Sequence, residues 1–313
     1  MNVWDPERVV DAGTARQLLR DQFPDLALDT IEPLGEGWDV TVYLVDDTWA
    51  VRFPRREVAL PTLVREVALL PALAPRLPIA VPVPQLLGRP TEDYPWSFWA
   101  APVLRGDELA DSGLVDGDRA GLAAELGAFL RALHDPALAA DLSGTLATDL
   151  PHDPMRRGTP STRGPMARDF LDGLAARGTW DAGSVADRAA DELIAAADPL
   201  AAPAGHPVLV HGDLHLRHVL VGTDGSAAGV IDWGDACYAD PALDLALAYA
   251  AFRGPARAAF FAAYGAQPDE ERELRARVLA LCLCAALADY ADQQDMPALL
   301  AESLVGVERT TVG

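Results

Sequence analysis

The sequence predicts an α+β protein of two lobes, a small antiparallel-sheet lobe followed by a larger helical one. Three observations carry this. Residues 31–53 alternate β-branched and aromatic positions around turn residues, as antiparallel strands do. From Gly117 onward, Ala- and Leu-rich stretches recur at helical period. Late in the chain, two short apolar runs each lead to an aspartate, the form of a hairpin with acidic groups at its open end. The boundary falls near Gly106, giving lobes of residues 1–106 and 107–313.

Residues 7–22 carry a helical pattern that stops at Phe23-Pro24, where the proline pushes its predecessor out of the helical region. Residues 31–38 and 40–45 read as strands, with Gly35-Glu36-Gly37 near their junction. A turn at Asp46-Asp47 leads to a third strand, Trp49-Ala50-Val51-Arg52-Phe53. A helix over residues 63–70 is closed by the proline-rich stretch 71–84. Residues 97–104 form a further strand, which ends at Arg105-Gly106 and acts as a hinge. A helix covers 118–134, the proline-rich segment 151–165 reads as a loop or mobile stretch, and helices follow over about 166–176 and 184–198. Pro207-Val208-Leu209-Val210 then delivers His211-Gly212-Asp213. The hairpin of Val219-Leu220-Val221 and Ala228-Gly229-Val230-Ile231 turns at Gly222-Thr223-Asp224-Gly225 and delivers Asp232. The last hundred residues are mostly helix.

The 313 residues, half of them hydrophobic, suffice for a sizeable core. A net charge of −22 argues against nucleic acid as a partner, since phosphate neutralisation needs basic surface. All 25 basic residues are arginine. A phosphate loop of the G-x-x-x-x-G-K-[ST] type is therefore excluded, and a phosphate-anchoring cation must be an arginine. Cys237, Cys282 and Cys284 form no C-x-x-C and read as reduced, structural thiols of a cytoplasmic protein. Residues 1–7 have no signal-peptide pattern and the apolar stretch 278–287 is too short to span a bilayer, so no membrane partner is expected. The expected state is a monomer or small homo-oligomer.

Asp213 and Asp232 are the informative pair. Phosphoryl transfer needs one carboxylate to orient a hydroxyl and accept its proton, and another to hold Mg²⁺ against a nucleotide. The alternative reading is two turn or capping aspartates. Gly35 and Gly37 lie where a backbone can approach phosphates, although two glycines in a hairpin otherwise mean only a turn. Arg52, on the next long strand, is placed to hold phosphate oxygens in its fork, and Glu66 on the following helix could aim it. Otherwise they are a surface-strand arginine and an exposed helical glutamate.

The series Gly35-x-Gly37, Arg52, Glu66, a hinge strand, His211-Gly212-Asp213 and Ile231-Asp232-Trp233 resembles the aminoglycoside phosphotransferase family. These are small-molecule kinases that include the resistance enzymes for aminoglycosides and macrolides. The likeness covers roughly residues 30–250, and residues 49–55 resemble the family's cation strand with arginine in place of lysine. It implies a protein-kinase-like two-lobe fold, ATP or GTP as co-substrate, Mg²⁺, and transfer of the γ-phosphate to a hydroxyl. Asp213 would orient that hydroxyl, His211 would brace the loop, and His215 stands where protein kinases place a phosphate-facing lysine. Asp232 would bind Mg²⁺, and backbone groups of Pro102 and Leu104 would face the nucleobase.

One position departs from the pattern. The family usually carries asparagine five residues after the catalytic aspartate as second metal ligand, and this chain has His218. Macrolide kinases are similar here, with a His-Gly-Asp-Leu-His-x-x-His loop. His218 could ligate the metal, or hold phosphate or a metal-bound water, because Mg²⁺ prefers oxygen. Three histidines within eight residues also match zinc, but no thiolate accompanies them. Asp240 reads as a cap and Asp244 as a structural acceptor.

The acceptor pocket draws on Asp235, Tyr238 and Asp289 first, with Tyr249, Phe252, Tyr264 and Tyr290 as further candidates. Asp289, Asp292 and Asp295 recur at helical spacing, either an acidic face for a polycation or a solvated face. The His218 likeness tilts the reading toward macrolides or another largely neutral natural product. The expected function is an antibiotic kinase that gives resistance. The alternatives are a metabolic kinase of a sugar, amino alcohol or nucleoside, and a nucleotide-binding pseudokinase.

Overall fold

The structure is a computed structural model that describes residues 6–37, 39–143, 150–203 and 206–312. Residues 1–5 and Trp38, which enter the terminal and first-strand readings above, lie outside it. The chain divides into two compact units, one mainly of residues up to 104 and one mainly of residues from 105 onward, with 77–79 belonging to the second.

The first unit contains α1 (Ala12–Gln22), β1 (Ile31–Glu36), β2 (Val40–Val45), β3 (Trp49–Pro54), α2 (Leu60–Leu73), β4 (Leu86–Gly88) and β5 (Phe98–Pro102). The strands form one antiparallel sheet in the order β1-β2-β3-β5-β4. Period-two burial is plain in β2 and β3: Thr41, Tyr43 and Val45, then Val51 and Phe53, face inward. Leu18 and Leu19 of α1 cover the apolar residues of this face together with Tyr94 and Phe98. The phenols of Tyr43 and Tyr94 donate to the carbonyls of Val10 (2.8 Å) and Pro54 (2.7 Å), so both rings are buried with their polar tips satisfied. The β2–β3 turn takes positive φ at Asp46 (47°) and Asp47 (54°), the hairpin form whose twist matches the strands.

Two expectations are corrected here. Pro71 lies inside α2 instead of ending it. The proline removes one helical hydrogen bond near the C-terminus, and burial of Leu69, Leu70 and Leu73 outweighs that loss. The short strand β4, absent from the sequence reading, pairs with β5 at the sheet edge. Residues 57–76 are long and apolar enough by length and composition to cross a membrane, yet Leu63, Glu66, Leu69, Leu70 and Leu73 of this stretch are buried in protein.

The second unit contains β6 (Asp107–Glu108), α3 (Ala120–Leu133), α4 (Pro136–Ser143), α5 (Pro160–Arg177), α6 (Val185–Ala197), β7 (Val208–Val210), β8 (Val219–Val221), β9 (Ala227–Val230), β10 (Cys237–Ala239), α7 (Ala242–Ala251), α8 (Gly254–Tyr264), α9 (Glu270–Gln293) and α10 (Pro297–Thr311). The loop expected over 151–165 is shorter, because residues 160–165 begin α5. Pro160 occupies its first turn, where its fixed φ suits a helix, and Pro165 is accommodated further in. The long helix α9 is central, with α5, α7 and α10 packed on it, and α3 packs on α8. Cys237, Cys282 and Cys284 are buried free thiols. Burial pushes them up to about 12, 11 and 12, so none is a thiolate at neutral pH.

Gly127 sets the α3–α8 approach. A Cβ there would stand 2.2 Å from the carbonyl oxygen of Phe260, a backbone atom that cannot turn away. Gly127→Ala is therefore expected to lower stability by about 1–3 kcal/mol, although alanine favours a helix by about 1 kcal/mol over glycine. Denaturant midpoints of the two proteins check this, and an unchanged or higher midpoint would contradict the packing argument.

Candidate functional site

Two small antiparallel pairings bring the catalytic candidates of the second unit together. Val210 of β7 pairs with Cys237 of β10, so the residues after one strand, His211-Gly212-Asp213, lie beside those before the other, including Asp235. At the open end of the β8–β9 hairpin, Ile231 N donates to His218 O (3.0 Å), which sets His218 beside Asp232. Gly212 must be glycine. Its φ is +85° and a Cβ would meet Asp235 O at 2.3 Å. Asp232 is a non-glycine residue at φ 63°, a strained conformation of the kind that collects at functional sites.

The corner hangs on Asp244 of α7, a fully buried carboxylate. It accepts from His211 N (2.7 Å) and Gly212 N (3.0 Å), and its Oδ2 also meets His134 Nε2 (3.1 Å). Tyr264 OH, at 3.0 Å from the other ring nitrogen, fixes that histidine from behind. Asp240 holds the start of α7 by accepting from Ala242 N (2.9 Å).

The hydrogen bonds of the three loop histidines assign their tautomers. His211 Nδ1 accepts from Asp213 N (3.3 Å), so Nε2 carries the proton and donates to Ile231 O (2.9 Å). His215 Nδ1 accepts from Arg217 N (3.2 Å), which leaves its Nε2–H toward Asp213 Oδ2 at 3.7 Å. His218 donates from Nδ1 to the carbonyl of Asp213 (2.7 Å), and its ring stacks on His215 with centroids 3.7 Å apart. Its Nε2 lies 3.7 Å from Asp232 Oδ2, so this ring stands between the two aspartates. Asp213, His215 and His218 also bring one ligand atom each within 4.8 Å of one another.

Burial keeps His211 below its ordinary pKa and pushes His215 down to about 3, helped there by His218, so both are neutral at pH 7. For Asp213, burial acts upward, but His215, Arg157, His218 and His211 outweigh it and hold the carboxyl below the usual range. With His215 neutral, the Arg157 guanidinium is the permanent positive charge in that set. It lies 3.4 Å from Asp213 Oδ1 and 2.9 Å from Asp235 Oδ2, and donates to Gly212 O (2.9 Å). Burial opposes its charge, and the two aspartates more than compensate. Burial also raises the Asp235 carboxyl, against the pull of Arg157.

The first unit assembles the phosphate-side candidates. Strand register places Arg52 directly opposite Trp99, with the guanidinium over the indole at 5.4 Å. Glu66 of α2 is buried, with Oε1 3.6 Å from Arg52 Nη2. Gly35 lies in β1 opposite Val42, and Gly37 lies in the β1–β2 connection, where its N donates to Val40 O (2.9 Å) and Arg55 donates to its carbonyl (2.8 Å). Pro102 ends β5, and Val103 N donates to Thr48 O (2.8 Å) just before Leu104.

The acceptor-side candidates separate. Asp235 joins Asp213 through Arg157. Tyr238 on β10 packs its ring on His152 at 5.4 Å. Asp289 pairs with Arg177 (2.6 Å), which also holds Asp292 (2.5 Å). Tyr290 lies beneath Arg217 at 5.9 Å. Tyr249 and Phe252 are buried core residues, and Tyr264 packs on His134, so none of these three follows the expectation of a pocket wall. Sequence reasoning missed Arg157, His134 and Trp99. Only His134, a polar residue closing an apolar helix, left a trace in the pattern.

The neutral histidines have a measurable consequence. Below about pH 6.5 the unfolded chain binds protons that His215, titrating near 3, refuses, so stability must fall as pH drops through that interval. Urea midpoints at pH 7.5, 6 and 5 are expected to fall more steeply for the wild type than for His215→Asn. Parallel slopes would contradict the assignment.

A model of the family described as "Phosphotransferase enzyme family" matches residues 30–279. Over 43 residues, 14% of either chain, the sequence is 46% identical to the uncharacterized protein YcbJ of Bacillus subtilis (strain 168). Among solved structures, the GDP complex of wild-type aminoglycoside 2'-phosphotransferase-IIIa aligns with a TM-score of 0.66 at 18% identity, covering 96% of this chain and 99% of that one. The apoenzyme of macrolide 2'-phosphotransferase MphH from Brachybacterium faecium aligns with a TM-score of 0.57 at 26% identity, covering 95% and 97%. Macrolide 2'-phosphotransferase type I aligns at 0.58 and 23%, covering 96% and 98%. The sheet-bearing and helical units are those of the kinase-like fold, and with its family model matched over most of its length this chain belongs to the phosphotransferase enzyme family.

Proposed function

We propose that this protein is a small-molecule kinase that transfers the γ-phosphate of ATP or GTP to a hydroxyl of an antibiotic or related natural product, and so gives resistance. The observation that carries the reading is the pair of acidic groups around His218: Asp213, held ionised, 4.0 Å from Nδ1 on one side, and Asp232 3.7 Å from Nε2 on the other. Family membership and the nucleotide complexes of the similar structures support it.

In this reading the acceptor hydroxyl donates to Asp213, which aims the oxygen at the γ-phosphorus. The proton passes to the carboxylate as the new P–O bond forms and the bond to the β-phosphate oxygen breaks. An ordinary carboxylate suffices, because proton transfer is late in a loose transition state. His211 braces the corner through Ile231, and His215, neutral, can donate its Nε2–H toward phosphate or Asp213. The Asp232 carboxylate would hold Mg²⁺, which would supply charge neutralisation on the nucleotide phosphates, and His218 beside it would ligate the ion or hold phosphate or a metal-bound water. Arg52, aimed by Glu66 and stacked on Trp99, holds phosphate oxygens in its fork. Neither Gly35 nor Gly37 has a neighbour that a Cβ would strike, so small residues there leave room for phosphate. Backbone groups at Pro102 and Leu104 would meet the nucleobase. The paired state of Asp289 and Asp292, added to the histidine loop, favours a macrolide or another largely neutral acceptor over a polycation.

The test is nucleotide consumption with Mg²⁺, ATP and GTP in parallel, against aminoglycosides, macrolides, nucleoside antibiotics and simple sugars. Acceptor-dependent turnover is expected, and Asp213→Ala should lower kcat by about 10²–10⁴-fold while nucleotide affinity stays near the wild-type value. Asp232→Ala should weaken Mg-nucleotide binding as well. Full turnover in Asp213→Ala would sink the mechanism, and failure to bind any nucleotide would sink the kinase reading.

A further inference from the structure

Arg157 lies in the loop before α5, outside every sequence motif, yet the surrounding loop is built to hold it. The carboxylate of Asp153 accepts from Arg157 N (2.7 Å) and from Gly158 N (2.9 Å). Asp153 N donates in turn to Tyr238 O (3.0 Å), which ties the loop to β10. From the other side the buried Arg275 donates to Gly158 O (3.0 Å). Asp153 and Arg156 take positive φ, 30° and 49°, so the chain bears backbone strain on both sides of the turn to present this side chain.

Its position splits the environment of Asp213. Oδ2 faces His215 and His218, whereas Oδ1 faces the guanidinium of Arg157. The same guanidinium binds Asp235 at 2.9 Å, a second, partly exposed carboxylate beside the reacting end. Two carboxylates and one guanidinium leave a single negative charge where a polycation would need several unpaired ones, and an incoming ammonium meets a fixed positive charge at the reacting end.

We propose that Arg157 is a specificity-determining residue that makes this site select acceptors uncharged at the reacting hydroxyl and reject polycations. The inference rests on Asp213 as the residue that receives the acceptor hydroxyl. Removing the charge frees Asp235 and unmasks an acidic subsite.

The experiment measures kanamycin binding by titration calorimetry on the full chain with Mg²⁺ and a non-hydrolysable nucleotide. Arg157→Gln and Arg157→Met are both made, so the test does not depend on either one folding, and Arg157→Lys keeps the charge. The expected result is at least tenfold tighter kanamycin binding in the neutral variants, with Arg157→Lys within threefold of the wild type. Equal affinity in wild type and folded neutral variants, including no detectable binding in either, would overturn the proposal. So would wild-type kanamycin binding that Arg157→Lys and Arg157→Gln weaken alike. Acceptor-independent nucleotide hydrolysis by the wild type is measured beside it. Its absence together with absent nucleotide binding counts against the kinase reading, whereas unchanged kanamycin affinity with nucleotide binding intact counts against Arg157 alone.

Discussion

The site of the second unit depends on one buried carboxylate. Asp244 has no exposure and accepts from two consecutive backbone N–H groups, His211 and Gly212, at the corner that carries Asp213. Hydrogen bonds to a charged acceptor contribute roughly 1.5–3 kcal/mol each. Their more important effect is geometric. A corner with positive φ at Gly212 would otherwise have its N–H groups buried without partners, and the carboxylate makes that conformation the satisfied one. His134, backed by Tyr264, meets the same carboxylate, so α3, α7 and α8 all bear on the position of a single loop.

Around that anchor, charge is distributed in a graded way. Of the histidines next to Asp213, His211 and His215 are neutral at pH 7, and backbone groups hold all three rings in place. Permanent positive charge comes from Arg157 on one side of the aspartate, and on the other His218 stands between it and Asp232. The side chains of Asp213 (25%), Asp232 (46%) and Asp235 (39%) keep enough exposure to meet a ligand, while His211 is buried completely. Bracing groups are therefore enclosed and chemical ones open. In the first unit Arg52 follows the same logic, held between an indole and a buried carboxylate so that its fork has few orientations.

Much of this was legible in the chain. Alternation in β2 and β3, the paired positive-φ aspartates between them, and the order His-Gly-Asp, hairpin, Ile-Asp-Trp all follow from local rules of spacing and turn chemistry. Prolines are tolerated more widely than their local chemistry suggests. Pro71 and Pro165 lie inside helices, where burial of neighbouring leucines and alanines offsets one missing hydrogen bond each, and Pro160 begins α5, where no helical hydrogen bond is lost. Two aromatic residues expected to line the acceptor pocket also differ. Helical periodicity tells which residues share a face, but not whether that face meets solvent or another helix, and Tyr249 and Phe252 proved to be core.

By itself the sequence determined what is short-range: most strand and helix types, the absence of lysine that leaves arginine as the cation available to a phosphate, and the carboxylates available for chemistry. Tertiary structure alone decided the pairings across long separations. Arg157 reaches Asp213 over more than fifty residues, Asp244 reaches His211 over 33, and Arg177 takes Asp289 and Asp292 from more than a hundred away. The physical reason is that an ion pair or a buried acceptor leaves no periodicity. Its partners are set by which helices pack together, and that choice is made by the whole core at once.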